Sequence, residues 1–278
     1  MFNIALMDTQ KKSLSLFGRL ISCSVYKSYT IMKVQELLSL SGAVSLRELS
    51  DVQVMELQRA LSLLGYPLGK IDGLIGPKTR NAWAEFVADT KQEKPYLIGQ
   101  ESVAVLQSKL AELEESSEDD FSDENGTIEA IIRQCRALDI GLNTQIAYVL
   151  ATVKWETNKT FQPVREAYWK SEEWRKENLK YYPYYGRGYV QLTWENNYSN
   201  YADILGVDLV GNPDIAMQPE IALYVLVHGF QIGSFTGRKI TDYIYEEKTD
   251  FINARRCING LDKSDEIATI AEDFLKQL

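Results

Sequence analysis

The sequence predicts a mainly α-helical protein of two domains, and three observations carry that reading. Apolar residues recur at helical spacing in several separate stretches, helix-boundary residues stand at their ends, and no convincing alternating strand series interrupts them. A single acidic stretch divides the helix-rich sequence in two. With 278 residues and a hydrophobic fraction of 45% the chain has ample material for packed cores. The formal charge of −9 is unevenly spread: +3 over residues 1–111, −8 over 112–126 and −4 over 127–278. The excess therefore belongs to a connector, and neither flank carries the basic patch of a nucleic-acid binder. The expected organisation is an N-terminal leader over 1–45, a small domain over 46–111, an acidic linker over 112–126 and a larger domain over 127–278.

In the leader, KKSLSLFGRLISC resembles a lipoprotein processing site ending at Cys23. Its apolar run is short and contains Arg19, so no export signal is expected, and Met32 is an alternative start. No run of about 18 apolar residues predicts a membrane span. Cys23, Cys135 and Cys257 are too few and too widely spaced for a disulfide framework or a zinc pattern.

The first helix is expected over 52–64, with Val54, Leu57, Leu61 and Leu64 inward and Gly65 closing it. Pro67, Gly69, Asp72-Gly73 and Gly76-Pro77 then punctuate a compact loop. A second helix follows over 79–88, capped by Thr79, with Ala82, Trp83, Phe86 and Val87 inward, and a third over 101–113. The pairing of LQRALSLLGY with DGLIGPKTRNAWAEF resembles the three-helix peptidoglycan-binding module of cell-wall hydrolases, whose signature is an Asp-Gly-x-x-Gly-Pro-x-Thr turn. The resemblance implies Asp72, Gly73, Gly76 and Thr79 as wall-binding residues; the plainer reading is a turn that only joins two helices. ELEESSEDDFSDENG, over 112–126, has too little apolar surface to order itself and reads as a tether.

In the larger domain Thr127 is expected to cap IEAIIRQCRAL and Asn143 to cap TQIAYVLATVKWE. Pro219 opens EIALYVLVHG, where proline is tolerated. The last helix, DEIATIAEDFLKQL, lines up Ile267, Ile270, Ala271, Phe274 and Leu275.

The chemistry begins at Glu156, which closes a helix whose apolar stripe is Ile146, Val149, Leu150 and Val153 and projects along almost the same line. A carboxyl at the edge of a core is expected to be partly desolvated and to hold its proton, as a general acid must. Ten positions later stands Glu166. Glycoside hydrolysis uses two carboxylates in different environments, one to protonate the leaving oxygen and one to attack or to activate water. Between 181 and 198, YYPYYGRGYVQLTWENNY combines aromatic rings, hydroxyls and side-chain amides around Gly186-Arg187-Gly188. Such a mixture suits a wall that grips sugars, with some of the tyrosines and Trp194 in the core.

Residues 146–262 resemble the catalytic domain of glycoside hydrolase family 19, the chitinase-like fold also used by phage endolysins. The matching pieces are Trp155-Glu156-Thr157, YYGRGYVQLTWENNY, NPDIAMQPEIAL and FINARRCINGLD, in the family's order. The resemblance implies a helical, lysozyme-like catalytic domain with Glu156 as general acid, Glu166 as general base and Thr193 holding the attacking water. Gln191, Asn197 and Asn212 are implied as substrate-binding, with Tyr185 and Arg187 beside them; an ion-pair role for Arg187 stands as the alternative. Trp155 occupies a position where many members have His, and the two glutamates are closer in sequence than in the plant enzymes, so Glu172, Glu173 and Glu177 stand as alternative bases.

The resulting expectation is a muramidase-like lysin that cuts β-1,4 bonds of peptidoglycan, made in the cytoplasm and acting at the bacterial cell wall. The alternatives are a chitinase and a non-catalytic wall-binding protein. No metal or organic cofactor is expected, and the chain is expected to be a monomer. A zinc amidase usually needs two or more histidines, and His228 stands alone. In an apolar helix it reads as structural.

Overall fold

The computed structural model describes residues 34–114 and 119–278. Cys23 and most of the expected leader lie outside the described residues. The fold is mainly helical, as expected. In the first half α1 (Gln35–Leu38), α2 (Asp51–Leu63), α3 (Pro77–Asp89) and α4 (Gln100–Glu114) enclose Leu57, Leu61, Trp83, Phe86, Val103 and Leu106, all fully buried. A short antiparallel ladder of β1 (Val44–Ser45) and β2 (Leu97–Ile98) pairs Val44 with Ile98. Helix α2 starts at Asp51 because Ser50 and Gln53 form a reciprocal capping box.

Three expected caps are corrected by the structure. Helix α3 begins at Pro77 with Gly76 before it, so Thr79 is already inside the first turn and buried. Thr127 lies inside α5 (Glu124–Ala137), where its hydroxyl donates to the Asp123 carbonyl at 3.0 Å; the cap is Asp123, which accepts from the Gly126 N–H at 2.8 Å. Asn143 is the first residue of α6 (Asn143–Glu156), and the reach-back bond comes from the Leu142 N–H to the Gln145 side chain at 3.2 Å. At α5 and α6 a neighbouring group makes the capping bond, and at α3 the glycine before Pro77 caps without any side-chain bond.

Of the acidic stretch, 115–118 lie outside the described residues, and its two ends belong to helices. Helix α4 runs to Glu114 and α5 starts at Glu124. Between them Asp119 pairs with Arg133, and the Phe121 carbonyl accepts from Gln162 Nε2 at 3.2 Å. Asp119 and Asp123 are held by pairing and capping, which a composition argument built on apolar area does not count.

The second half adds α7 (Glu172–Asn178), α8 (Glu195–Leu205), α9 (Pro219–Ile232), α10 (Phe251–Ala254) and α11 (Ser264–Leu275). Helix α6 is its axis: every residue from Gln145 to Val153 is buried, and α11 packs along it. A two-residue ladder of β3 (Val164–Arg165) and β4 (Arg187–Gly188) sets Arg165 opposite Arg187, and a second hairpin pairs β5 (Ile244–Tyr245) with β6 (Lys248–Thr249). Among the described residues no helix is long and apolar enough to cross a membrane.

The two halves meet where α2 ends. Its last carbonyls, which lack partners within the helix, accept from side chains of α9: Leu63 from the Tyr224 hydroxyl at 3.1 Å, Ser62 from His228 Nε2 at 3.0 Å and Leu64 from Gln231 Nε2 at 3.2 Å. Arg59 Nε adds a bond to the Asp203 carbonyl at 3.0 Å. His228 is fully enclosed, and burial pushes its pKa down to about 4 against the opposing Ser62 bond. The lone histidine is structural, as expected.

Candidate active site

Glu156 ends α6, where the helix emerges from the core. Its side chain is 20% exposed, and Oε1 accepts from Arg255 Nη1 at 2.7 Å. The expected apolar edge is therefore corrected: the carboxyl leans on a guanidinium that is itself buried. Arg255 comes from the turn after α10 and is braced by Nε donating to the Asp262 carbonyl at 3.1 Å.

Glu166 directly follows β3. Its Oε1 accepts from the Tyr181 hydroxyl at 2.6 Å and its Oε2 from the Gly186 N–H at 3.0 Å, while its own N–H donates to the Gly186 carbonyl at 2.8 Å. The buried Arg175 holds the Glu166 carbonyl at 2.9 Å. The side chain is thus fixed as an acceptor from two directions. Burial, and then the bond to Glu166, pushes the Tyr181 hydroxyl up to about 12. Of the alternative bases, Glu172 is engaged by Arg175 at 3.1 Å and the Tyr185 hydroxyl at 3.0 Å, and Glu173 and Glu177 are exposed on α7.

Behind Glu166 the 181–198 stretch folds around Arg187, which is 3% exposed. Its Nε pairs with Asp214 Oδ1 at 2.9 Å, and Nη1 donates to Pro183 O at 2.9 Å, Tyr185 O at 3.2 Å and the Tyr198 hydroxyl at 3.0 Å. The guanidinium lies 3.6 Å over the fully buried Tyr185 ring. Tyr185 and Arg187, expected on the sugar side, are therefore buried and brace the wall from behind, the arginine spending its donors on Pro183, Tyr185, Tyr198 and the half-exposed Asp214. Arg165, and then Arg187, holds the Asp214 carboxyl below the usual range. The glycines are required here: Gly188 has φ +87, with the Ala216 carbonyl 3.2 Å from where a Cβ would sit, and a Cβ on Gly186 would run into the Gln191 side chain.

In front of that brace lie the amides and the hydroxyl. Gln191 Nε2 donates to the Val164 carbonyl at 3.1 Å, Thr193 Oγ1 to the Gln191 carbonyl at 2.7 Å and Asn197 Nδ2 to the Thr193 carbonyl at 2.8 Å. All three are half-buried. Asn212 is exposed, held by backbone bonds to Asp208 and Ile215. Trp194 is not core: it is 49% exposed, with φ 75 and ψ 136. For a bulky residue that backbone costs roughly 1–3 kcal/mol.

Of the four residues implied in wall binding, three bond to the buried Gln58: the exposed Asp72 and the buried Gly73 and Thr79. Gln58 donates to Asp72 Oδ1 at 2.9 Å and Thr79 Oγ1 at 3.1 Å, and it accepts from the Asp72 and Gly73 N–H groups at 3.0 and 2.9 Å. Gly76, the fourth, precedes α3, and a Cβ placed on it would meet nothing within 4 Å. Sequence reasoning did not single out Arg255, Tyr181 or Asp214. Arg255 lies 99 positions from Glu156, beyond any local spacing rule. Tyr181 was visible only as one ring among several. Among the described residues no group of His, Cys, Asp and Glu is placed to hold a metal ion.

The family model described as Chitinase class I, of glycoside hydrolase family 19, matches residues 151–230. That span includes Glu156, Glu166, all of 181–198 and Asn212; the piece holding Arg255 lies beyond it. Two proteins of Oryza sativa subsp. japonica are similar over short stretches. Chitinase 8 is 61% identical over 33 residues, 12% of this chain and 13% of the relative, and Chitinase 11 is 48% identical over 42 residues, 15% and 16% respectively. The chain thus spans only a small part of the length of the relatives it matches. Over residues 151–230 the chain is similar to the family described as chitinase class I.

Proposed function

We propose that this protein is a glycoside hydrolase acting on a β-1,4-linked N-acetylhexosamine polymer, with peptidoglycan as its substrate. Glu156 donates a proton to the bridging oxygen, and Arg255 meets the negative charge that develops on the carboxylate as the proton leaves. Glu166, oriented by Tyr181 and Gly186, takes a proton from the attacking water. Thr193 has committed its own proton to the Gln191 carbonyl, so its lone pairs are available to that water. The amide oxygens of Gln191 and Asn197 serve the sugar hydroxyls.

The observation that carries this reading is the pair of half-buried carboxylates closing α6 and following β3, each oriented by its own donors, within the matched span. Peptidoglycan is favoured by the turn at Asp72–Thr79, with its resemblance to wall-binding modules. Chitin has separate support, since both rice relatives are named chitinases. Mass spectrometry of digested sacculi and of chitohexaose tests both. Glycan fragments with new reducing ends are expected from sacculi, and they should disappear with Glu156→Gln and Glu166→Gln. Release of peptides from intact glycan strands overturns the proposal.

A further inference from the structure

We propose that Trp194 and Lys180 form a sugar subsite beside Glu166 that favours glycans bearing carboxylate substituents, an inference that rests on the hydrolase reading above. The first ground is the backbone of Trp194. Its φ of 75 with ψ of 136 lies close to territory that glycine alone enters easily, yet the residue there is the largest of the twenty. Folding gives no reason for that choice, because the indole is 49% exposed and fills no core. The conformation is held by the Trp194 N–H on the Tyr184 carbonyl at 2.9 Å and by the Asn197 and Tyr198 N–H groups on the Trp194 carbonyl at 3.0 and 3.2 Å. Strain kept at an exposed aromatic next to candidate catalytic groups points to work done by the ring itself.

The second ground is position. The Trp194 ring meets Tyr181 at 4.9 Å between centroids, and the Tyr181 hydroxyl bonds Glu166 at 2.6 Å. Thr193 immediately precedes it. A pyranose stacked by its C–H face on the indole would therefore lie next to the unit being attacked.

The third ground is charge. Lys180 Nζ lies 5.5 Å from the Trp194 centroid, and among the described residues no carboxylate forms a salt bridge with it. An ammonium over a stacking face is a weak partner for a neutral chitin unit and a good one for a sugar carrying a carboxylate. Two chemical sources supply that group: the lactyl ether of a muramyl residue and the stem peptide attached to it.

The test is calorimetric binding by full-length protein in a Glu156→Gln background, which removes turnover. The probes are chitohexaose, uncross-linked glycan strands with stem peptides, and strands stripped to the lactyl carboxylate. Trp194→Gly is expected to lower affinity for all three about ten-fold or more while leaving the melting temperature equal or higher, because glycine relieves the backbone. Trp194→Phe should recover most of the affinity. Lys180→Gln should reduce affinity for strands about three-fold more than for chitohexaose, with the difference fading in high salt. Whichever strand preparation shows the larger loss identifies the source of the carboxylate. The proposal is overturned if Trp194→Gly binds within two-fold of its parent, if its melting temperature falls by several degrees, or if Lys180→Gln leaves the strand-to-chitohexaose ratio unchanged. Cleavage by the unmodified protein is scored separately: cleavage with normal Trp194→Gly binding removes the subsite alone, whereas neither cleavage nor binding removes the hydrolase reading as well.

Discussion

The turn at Asp72–Thr79 and the stretch at 181–198 are both rich in glycine and hydrogen-bonding side chains, and they spend those side chains differently. In the turn, Asp72, Gly73 and Thr79 all bond to Gln58 at the centre of the first half. In the longer stretch, Arg187 gathers Pro183, Tyr185, Tyr198 and Asp214 behind a surface that still presents Glu166, Thr193 and Trp194. Each has a buried hub with a planar, multiply bonded head group. Only the second also keeps a layer of polar groups in front of its hub. A recognisable motif is therefore informative about ligands only after its internal bonds have been subtracted.

The sharpest way to strain this comparison is to disable the front layer while leaving the hub intact. Glu156→Gln should lower hydrolysis by about 10²- to 10⁴-fold, measured as new reducing ends; activity within ten-fold of the parent would mean that the front layer is not catalytic. Next comes the hub itself. Arg187→Met strands the Pro183 carbonyl while Asp214 keeps Arg165 and the Tyr185 carbonyl keeps the Tyr198 hydroxyl, and a loss of roughly 2 kcal/mol is expected in denaturant unfolding, with binding and stability falling together. The third concerns the seam between the halves. Unfolded His228 takes a proton below about 6.5, while the folded side chain stays neutral to about 4. Its contribution is thus complete above pH 6.5 and is lost as the pH falls toward 4, about 3 kcal/mol in all. Glu220, pushed up to about 7 by burial, has the opposite sign: its contribution is present below about 4.5 and lost as the pH rises through 7. Melting curves of the parent and His228→Gln across that range should separate the two.

The smallest effects belong to the first half. Gln58→Ala should cost about 2 kcal/mol by leaving the turn's N–H groups and hydroxyl without their partner. Gln58, and then the Leu74 N–H, holds the Asp72 carboxyl below its usual value of 3.8, so its contribution is present above that pH and disappears as the pH falls through the lowered value. In Gln58→Ala this acid-side loss should shrink, and an unchanged acid limb would show that the turn does not depend on its hub.

The helices read well from sequence where one stripe faces one core. The apolar spacing of 52–64 became α2 at Asp51–Leu63, and Pro219 opens α9 as its fixed φ allows. The caps at Thr127 and Asn143 misled because neighbouring groups, Asp123 and Gln145, make the capping bonds, and the one at Thr79 because Pro77 already opens the helix. In the acidic stretch 115–118 lie outside the described residues, and composition, which counts apolar area, overlooks the Asp123 cap and the Asp119–Arg133 pair at its described end. At the candidate site the sequence singles out Glu156 and Glu166 by position and resemblance, and their roles belong to the proposal above. Their environments were not legible: Arg255 arrives from a distant turn, and Gly-Arg-Gly looks like a ligand grip until the arginine's donors are found spent on the protein itself.

The three donors that α9 extends to the end of α2 make the seam a shared piece of chemistry. His228's weak hold on a proton comes from its burial, and the Ser62 carbonyl across the joint works against it. Cutting the chain just before Thr127 would take away the Ser62 acceptor and uncover the imidazole on that side, with Tyr201 and Tyr224 still against it. Shortening this protein to its second half would thus rewrite the acid response of what remains.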